Sequence, residues 1–262
     1  MQSAALKTLV IIPTYNEAEN IGPLTDGIRQ HAPGVDILFV DDNSQDGTQK
    51  VIGDLQAQHQ GRVHLISRPG KLGLGTAYVA AFKWGLAKGY DVLVEMDADH
   101  SHRPEDLAQI LDIAASNPVV IGSRYIPGGG TRNWSRFRQF ISRGGSLYAR
   151  TILGLKARDL TGGFNAWHRR VLEDIDPNNI RSEGYTFQVE LKFRAHLAGY
   201  SLREVPILFV ERRAGQSKMA GSIVAEAIYR IWTLAAQRGL IERQLAERPG
   251  RRSAAVTASV RR

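Results

Sequence analysis

The sequence predicts an α/β domain in which a mostly parallel sheet is flanked by helices and followed by an α+β extension. Three observations lead to this fold class. Apolar strand patterns alternate with helix patterns as far as residue 123, and such alternation is typical of parallel sheets with helices on both faces. Polar clusters stand where the strands end. Beyond residue 123, the regular alternation stops and strands and helices mix.

The first part of the chain alternates strand and helix patterns. Its strands are short apolar runs, such as KTLVIIP and VDILFVDD, which are typical of sheets that are covered on both faces. The fourth helix begins with Pro104, Glu105 and Asp106, which are residue types that favour a helix N-terminus. The predicted strands are 7–13, 35–42, 62–67, 91–97 and 118–123, and the predicted helices are 17–31, 47–59, 73–88 and 104–115.

The second part of the chain predicts a mixed α+β addition to the first sheet. A basic amphipathic helix is expected over 136–155, with Gly144-Gly145 as a point where it could be interrupted. The segments 163–168 and 202–213 are strand-like, and 186–198 and 222–236 are helical in pattern. We expect one domain over 1–240, made of the halves 1–123 and 124–240, and a basic, disordered tail over 241–262.

Composition narrows the function classes. The chain of 262 residues has no cysteine, which excludes disulfides, a thiolate nucleophile and cysteine-based zinc sites. No apolar run approaches the ~18 residues of a membrane span, so the chain is expected to be soluble or peripheral, and cytoplasmic. The net charge is +8, and residues 132–158 hold seven basic and no acidic residues. Nucleic acid, an anionic membrane surface and a phosphorylated ligand would each suit that basic block.

Carboxylates at the strand ends point to a phosphate or metal site. Ligands of open α/β sheets bind outside the carboxyl ends of the strands. Asp97 and Asp99 stand at the end of the fourth strand, and because side chains alternate between faces along a strand, they are expected to point the same way. Mg²⁺ prefers one or two carboxylates together with waters and substrate phosphate oxygens. The alternative that strand-end aspartates only cap turns stays open. The polar clusters are 13–17, 41–44, 97–99 and 122–125.

Two common nucleotide-binding motifs are missing. The first strand-to-helix turn reads PTYNEAENIG and lacks the G-x-G-x-x-G of dinucleotide-binding enzymes. The stretch GKLGLGTA contains Lys71 among glycines, but it lacks the G-K-[ST] of a Walker A loop. Those glycines serve either a ligand or only a turn, and the sequence leaves this question open.

The ordered set of motifs resembles one enzyme family. IIPTYNE, VDDNSQDGT, KLGLGTA, EMDADHSHRPE and GSRYIPGG together are similar to glycosyltransferase family 2, which has the GT-A fold. NWSRFRQFIS, DLTGGFNAWHR and ERRAGQSKM narrow the resemblance to the polyprenol-monophosphate mannose synthases, which are relatives of dolichyl-phosphate mannose synthase. The resemblance implies metal-dependent, inverting transfer of mannose from GDP-mannose to a polyprenyl monophosphate, which supplies lipid-linked glycan synthesis or protein mannosylation.

The resemblance also implies roles for the residues on the donor side. Asp97, Asp99 and Ser101 match positions that bind Mg²⁺ or Mn²⁺ and the donor pyrophosphate, and Ala98 matches a backbone contact. Some members have glutamine where this chain has Ser101, so a water could bridge this shorter side chain to the metal. The positions that match the guanosine site are Pro13, Tyr15, Glu17, Val40 and Asp42.

Four cationic residues complete the implied site. Arg124 and Arg138 match arginines that bind the acceptor phosphate. Arg124 is also expected to contribute to the nucleotide-sugar site. Arg212 and Lys218 match a loop that closes over the donor phosphates. Arginine suits forked phosphate contacts. The implied catalytic residues are Asp97, Asp99, Arg124 and Arg138.

The implied acceptor makes a membrane surface the expected partner. A polyprenyl phosphate resides in the bilayer, and the basic, aromatic-containing segment 134–155 could lie at the interface. We expect peripheral attachment at the cytoplasmic face, either directly or through a separate membrane protein, and we expect no nucleic-acid partner. Two alternatives stay open: another polyprenyl-phosphate hexosyltransferase that uses a donor such as UDP-glucose, and an inactive membrane-binding or nucleic-acid-binding module.

A few further polar residues receive structural expectations. His168 and His196 are expected to be ordinary packed or surface residues. Glu190 is expected to be structural rather than to bind an acceptor. For His102, orienting the loop after the fourth strand and touching the metal remain equal alternatives.

Overall fold

A computed structural model of the chain describes residues 6–211 and 221–248. Within this part of the chain, a seven-stranded sheet has the order β3-β2-β1-β4-β7-β5-β8, and a two-stranded sheet pairs β6 with β9. The predicted α/β architecture, a mostly parallel sheet flanked by helices, is confirmed. The strands are β1 Thr8–Thr14, β2 Asp36–Asp41, β3 Val63–Ser67, β4 Val92–Glu95, β5 Val119–Ser123, β6 Gly130–Arg132, β7 Asn165–His168, β8 Leu202–Pro206 and β9 Leu208–Val210.

Helices cover both faces of the large sheet. Strand side chains alternate between the faces, so Leu9 and Ile11 join one apolar cluster with Phe82 of α3, while Val10 and Ile12 join another with Leu24 of α1. The helices are α1 Ala18–His31, α2 Thr48–Gln58, α3 Leu74–Ala87, α4 Pro104–Ala114, α5 Arg136–Leu153, α6 Arg169–Ile175, α7 Gly184–Leu197, α8 Gly221–Ala236 and α9 Arg238–Ala246, with a 3₁₀ turn at Pro177–Asn179.

Strand β7 determines where the site forms. It lies between β4 and β5 and runs antiparallel to both, with Asn165 opposite Glu95 on one side and Ile121 on the other. The start of β7 therefore lies at the edge where its two neighbours end. As a result, residues 159–164, which lead into β7, reach the same edge as the polar segments that follow the parallel strands.

The second part of the chain differs from the sequence prediction at two places. The strand expected over 202–213 is divided at Ile207 into β8 of the large sheet and β9 of the small one. The Ile207 N–H donates to the Ser123 carbonyl and its own carbonyl accepts from Gly130, so this residue joins the two sheets. Helix α5 runs without interruption through Gly144-Gly145.

Helix α9 corrects the predicted beginning of the tail. The sequence places residues 241–262 in a disordered tail, but residues 241–246 are helical. Ile241 and Leu245 are four residues apart, so they lie on one face of the helix. Both are buried in the core cluster that also contains α7 side chains. The folded chain therefore extends past residue 240, because these two apolar residues are buried. The prediction of a disordered tail was based on its basic composition and did not consider them.

Replacing Gly122 by alanine is expected to destabilise the fold by about 1–3 kcal/mol, because it would overpack β5 against the start of β7. A Cβ at Gly122 would lie 2.9 Å from the Phe164 carbonyl oxygen and 3.0 Å from Ile207 Cγ2. Urea unfolding measures the loss. Gly53→Ala is the control, since that helical position has open space and alanine is the better helix former there. Equal stabilities of the two variants would contradict the expectation.

Candidate functional site

Two adjoining cavities open at the edge where the parallel strands end. The polar cavity, of about 410 Å³, lies among the ends of β1 and β2 and the helices α3 and α7. The apolar cavity, of about 430 Å³, lies beside α5 and α8. Four residues line both cavities and form a shared wall: Asp97, Asp99, Thr161 and Gly163.

The loop after β4 places the two aspartates in this wall. Strand β4 ends at Glu95, so the alternation expected along a continuing strand does not orient Asp97 and Asp99. Hydrogen bonds within the loop orient the chain instead. The Asp97 N–H donates to His102 Nδ1 at 3.0 Å, and the Ser101 N–H donates to Asp99 Oδ1 at 3.0 Å. The prediction of a shared location was therefore correct, although its geometric reason was wrong.

His102 orients this loop. The ring is buried, stacks on Phe164 at 4.8 Å between centroids and meets Phe209 edge-on at 5.3 Å. Burial outweighs the nearby carboxylates of Asp97 and Asp99 and lowers the pKa of the imidazole. A neutral ring can accept at Nδ1 from the main chain, and its hydrogen is then on Nε2. The geometry thus favours the loop-orienting alternative for His102.

The aspartate loop has the donor set of a hard divalent cation. Within residues 6–211 and 221–248, no cluster of three or more histidine, aspartate or glutamate side chains could hold a metal alone. Ser101 is buried, and its Oγ lacks a hydrogen-bond partner among the described residues. Mg²⁺ and Mn²⁺ are commonly bound by one or two carboxylates together with oxygens of the substrate phosphates, rather than by protein ligands alone. Asp97, Asp99 and the Ser101 hydroxyl fit such a site.

The outer part of the polar cavity contains most of the residues expected around the nucleoside. Pro13, Tyr15, Glu17 and Asp42 all line it. Lys71 also lines this cavity, and its Nζ lies 4.3 Å from the Tyr15 ring centroid. The sequence alone left open whether the glycine-rich stretch around Lys71 serves a ligand or only a turn.

Secondary contacts hold these outer residues in place. Asp42 is paired with Arg68 at 2.7 Å, and the Glu17 N–H donates to Thr48 Oγ1 at 2.9 Å. Ala98 lines the polar cavity as well, which is consistent with a backbone contact. Val40 of β2 is different, because its side chain is fully buried in the apolar core and the residue does not line the cavity.

Arg124 lies at the polar end of the apolar cavity and is held by a buried carboxylate. Its Nε and Nη2 donate to the two oxygens of Asp159 at 2.7 Å each, and Nη2 also donates to Thr161 Oγ1 at 2.9 Å. Burial opposes ionisation of Asp159, but the charge and hydrogen bonds of Arg124 outweigh it, so the pKa of Asp159 lies below its ordinary value. This fork fixes the cation beside the shared wall.

Arg138 lies at the same end of the apolar cavity, in the first turn of α5. Its guanidinium stacks over Trp134 at 4.1 Å and pairs with Glu211 at 2.7 Å. Among the described residues, Arg138 Nε and Trp134 Nε1 are buried and have no hydrogen-bond acceptor. The structure therefore brings Arg124 and Arg138 into one cavity. The two N–H groups without an acceptor belong to residues that line this same cavity. Arg212 and Lys218 lie outside the described residues.

A buried polar network beneath the wall was missed by sequence reasoning. Glu95 accepts hydrogen bonds from Asn165, Trp167 and Gln188 at 2.8–2.9 Å. Burial raises the pKa of the Glu95 carboxyl, and this effect outweighs the hydrogen bonds, which lower the pKa.

A buried lysine supports the other side of this network. Lys192 is fully buried and donates to the carbonyls of Leu160 and Gly162, and burial lowers its pKa. These bonds hold the segment before β7 against the site. No local sequence pattern predicts this network, because it forms only when β7 inserts antiparallel between β4 and β5. Glu190 is structural as expected, since it is buried and pairs with Arg194 at 2.7 Å.

Comparisons with known proteins agree with this geometry. Residues 9–176 match the family model described as glycosyl transferase family 2. The chain is 50% identical over 227 residues to a polyprenol monophosphomannose synthase of Mycolicibacterium smegmatis, covering 86% of this chain and 85% of the relative. It is 49% identical over 235 residues to an undecaprenyl-phosphate mannosyltransferase of Micrococcus luteus, covering 88% of this chain and 96% of the relative.

A solved structure shares the fold. The glucosyl-3-phosphoglycerate synthase of Mycobacterium tuberculosis, crystallised with Mn²⁺, UDP-glucose and phosphoglyceric acid, aligns with a TM-score of 0.67 at 18% identity. The alignment covers 89% of this chain and 81% of that one. At this identity, the likeness shows the fold alone.

Proposed function

The chain belongs to glycosyltransferase family 2 and is a glycosyltransferase of the GT-A type, and from this premise we propose that it transfers mannose from GDP-mannose to a polyprenyl monophosphate. Two relatives that are 49% and 50% identical carry names of polyprenyl-phosphate mannosyl transfer. The observation that carries the proposal is the meeting of a polar and an apolar cavity at one wall that contains Asp97 and Asp99.

The polar cavity is the proposed donor site. Its outer part offers the Tyr15 ring, the Glu17 and Asp42 carboxylates and Lys71, a mixed set that suits a nucleoside with its base and ribose. The wall residues Asp97 and Asp99, with Ser101 beside them, would hold Mg²⁺ or Mn²⁺. A bound divalent ion supplies charge stabilisation to the departing diphosphate. The choice of guanosine over uridine rests on the resemblance of the sequence motifs to the polyprenol-monophosphate mannose synthases rather than on a contact, and the names of the two relatives specify mannose but no nucleotide.

The apolar cavity is the proposed acceptor site. Phe140, Ile141 and Tyr148 of α5 face Ile231 of α8 along it, and this lining suits an isoprenoid chain. Arg124 and Arg138 stand at its polar end, where a phosphate attached to that chain would arrive. The Nε–H of Arg138 and the Nε1–H of Trp134, which have no acceptor in the described part of the chain, would donate to its oxygens.

The proposed reaction follows from this arrangement. A phosphate monoester has a second pKa near 6, so its oxygen is already a nucleophile and no strong general base is required. That oxygen attacks the anomeric carbon of mannose as the bond from this carbon to GDP breaks, and GDP leaves with the electron pair. The configuration inverts because attack and departure occur on opposite faces. Arg124, fixed by Asp159, keeps the two anions close together, and proximity of this kind contributes several kcal/mol.

Transfer assays with a matrix of donors and acceptors test the proposal. GDP-mannose, UDP-glucose and UDP-mannose are combined with farnesyl monophosphate, undecaprenyl monophosphate and phosphoglycerate as acceptors, with and without EDTA. We expect product only with GDP-mannose and a prenyl phosphate, and none with EDTA. Product from UDP-glucose alone would replace the donor assignment, and transfer to free phosphoglycerate alone would overturn the lipid acceptor.

We also propose peripheral attachment at the cytoplasmic face of a membrane, either directly or through a membrane-protein partner. Within residues 6–211 and 221–248, none of the helices combines the length and the apolar character that a membrane span requires. Helix α5 exposes Phe137 and Leu147 by 74% and 60%, and α8 exposes Tyr229 and Trp232. Together with the arginines of α5, these exposed apolar groups suit an anionic lipid surface.

Phe137→Ser is expected to weaken binding to vesicles of anionic phosphatidylglycerol about tenfold, since an inserted aromatic side chain contributes on the order of 1.5–3 kcal/mol. Vesicle co-sedimentation measures the change. Transfer to detergent-dispersed farnesyl phosphate should be unchanged, because Phe137 does not line a cavity. Leu6→Ser, just before the N-terminal end of β1, is the control and should bind like the wild type. Equal binding by Phe137→Ser would contradict the assignment of this surface.

A further inference from the structure

Tyr78 differs from the other residues that line the polar cavity because its buried hydroxyl has no partner within the described residues. The residue lies in α3, lines that cavity and has an exposed fraction of 0%. Its ring is held between Phe82 and Phe187, with centroid distances of 6.1 and 6.0 Å and interplanar angles of 25° and 11°. The Oη atom is buried and has no hydrogen-bond partner among the described residues. Buried hydroxyls are nearly always paired, so a bound molecule is the natural partner.

The position of Tyr78 places that partner at the inner part of the polar cavity. Phe187, which stacks on the tyrosine ring, precedes Gln188 on α7, and Gln188 lines the same cavity. The carboxylates of Asp97 and Asp99 are also close enough to act on the phenol, after burial itself, in raising its pKa. Tyr78 therefore stays protonated and lies close to the aspartates of the shared wall.

The chemistry of this inner part favours a neutral, hydroxyl-rich group. The metal proposed at Asp97 and Asp99 would hold the diphosphate. On the α7 side, the described residues that line the polar cavity with Tyr78 are Gln188 and Gly184, which carry no charge and suit a neutral group. A phenol O–H and a carboxamide are instead the groups that recognise sugar hydroxyls. The sugar of a nucleotide-sugar donor would also have to lie here, beside the wall across which it is transferred.

We propose that the Tyr78 hydroxyl donates a hydrogen bond to a hydroxyl group of the sugar being transferred, so that Tyr78 helps to select the donor sugar. The proposal rests on the proposed function, because it needs a nucleotide-sugar donor in the polar cavity. It assigns Tyr78 to the sugar and not to the nucleotide or the diphosphate, and binding measurements can separate these parts.

Isothermal calorimetry with Tyr78→Phe tests the proposal on the full chain with Mn²⁺ present. Phenylalanine keeps the aromatic stacking and removes only the hydroxyl. We expect the affinity for GDP-mannose to fall about fivefold to thirtyfold, the range for a hydrogen bond lost at a buried site, while the affinity for GDP changes less than about twofold. Tyr90→Phe is the matched control, since it removes a buried tyrosine hydroxyl that is bonded to Asp36 away from both cavities.

The outcomes separate this inference from the proposed donor. Equal losses for GDP and GDP-mannose would assign Tyr78 to the nucleotide, and no loss for either would leave it without a ligand; both results overturn the proposal. If the wild type binds UDP and UDP-glucose instead, the GDP-mannose assignment fails, and the same comparison on the uridine pair decides the role of Tyr78. The fitted stoichiometry reports the folded fraction of each variant, so misfolding cannot imitate a sugar-specific loss.

Discussion

Asp99→Asn is expected to lower mannosyl transfer by about a thousandfold or more, roughly 4 kcal/mol in transition-state stabilisation. Asp99 lies in the wall shared by both cavities, and its carboxylate is in the expected ligand set of the metal. An amide of the same shape accepts the Ser101 N–H but brings no negative charge to a divalent ion. Initial rates at saturating Mn²⁺ measure the loss, and circular dichroism with thermal unfolding checks the fold.

Asp112→Asn is the matched control for this substitution. Asp112 is an exposed carboxylate on α4, the helix that follows the aspartate loop, so its replacement changes the net charge equally without reaching a cavity. Its transfer rate should lie within about twofold of the wild type, as is usual for surface substitutions. A transfer rate of Asp99→Asn within tenfold of this control would remove Asp99 from the catalytic residues.

Arg124→Met is expected to destabilise the protein by about 3–5 kcal/mol and to abolish transfer, because it leaves the Asp159 carboxylate buried without its cation. Arg124 and Asp159 have side chains only 6% and 0% exposed and are 2.7 Å apart. Urea unfolding measures the stability. The double variant Arg124→Met/Asp159→Asn should be more stable than Arg124→Met alone, since no unpaired charge remains, yet it should stay inactive. If the double variant loses the sum of the two single losses, the pair does not act as a unit.

The same pair predicts a dependence of stability on pH. The pKa of Asp159 in the folded chain lies below the ordinary carboxyl value. Its contribution to stability is therefore complete above the unfolded pKa of about 3.9 and disappears as the pH falls through the lower folded pKa. The stability difference between the wild type and Asp159→Asn should be constant from about pH 5 to 8 and shrink below about pH 4. A constant difference down to pH 2 would contradict this account.

Much of the fold was accessible from the sequence because its information is local. Four of the parallel strands, β1, β2, β4 and β5, are short apolar runs that end at polar clusters. Because parallel strands end at one edge of a sheet, Asp42 and Asp97 could be placed together from the sequence alone. Helix periodicity likewise identified α1 to α5. Val40 shows the limit of assigning a role by a matched position, since its side chain is buried in the core and the residue does not line the polar cavity.

The features that sequence reasoning missed depend on contacts distant along the chain. The insertion of β7 between β4 and β5 brings Asn165 to Glu95, which is 70 residues earlier. Lys192 looked like a polar position in an ordinary helix, although it is buried beneath the Leu160 and Gly162 carbonyls. His102 could not be assigned either, because its role depends on the stacking of Phe164 and Phe209, which come from two other segments.

The wall shared by the two cavities has a consequence for engineering. A residue that belongs to both cavities cannot be changed for one substrate without changing the surroundings of the other, so kinetic constants for the two substrates should shift together in variants of Thr161 and Gly163. Residues that line only one cavity are the independent positions. Libraries aimed at new lipid acceptors are therefore best built on Ile141 and Tyr148 of α5, and libraries aimed at new sugars on the α3 and α7 side of the molecule.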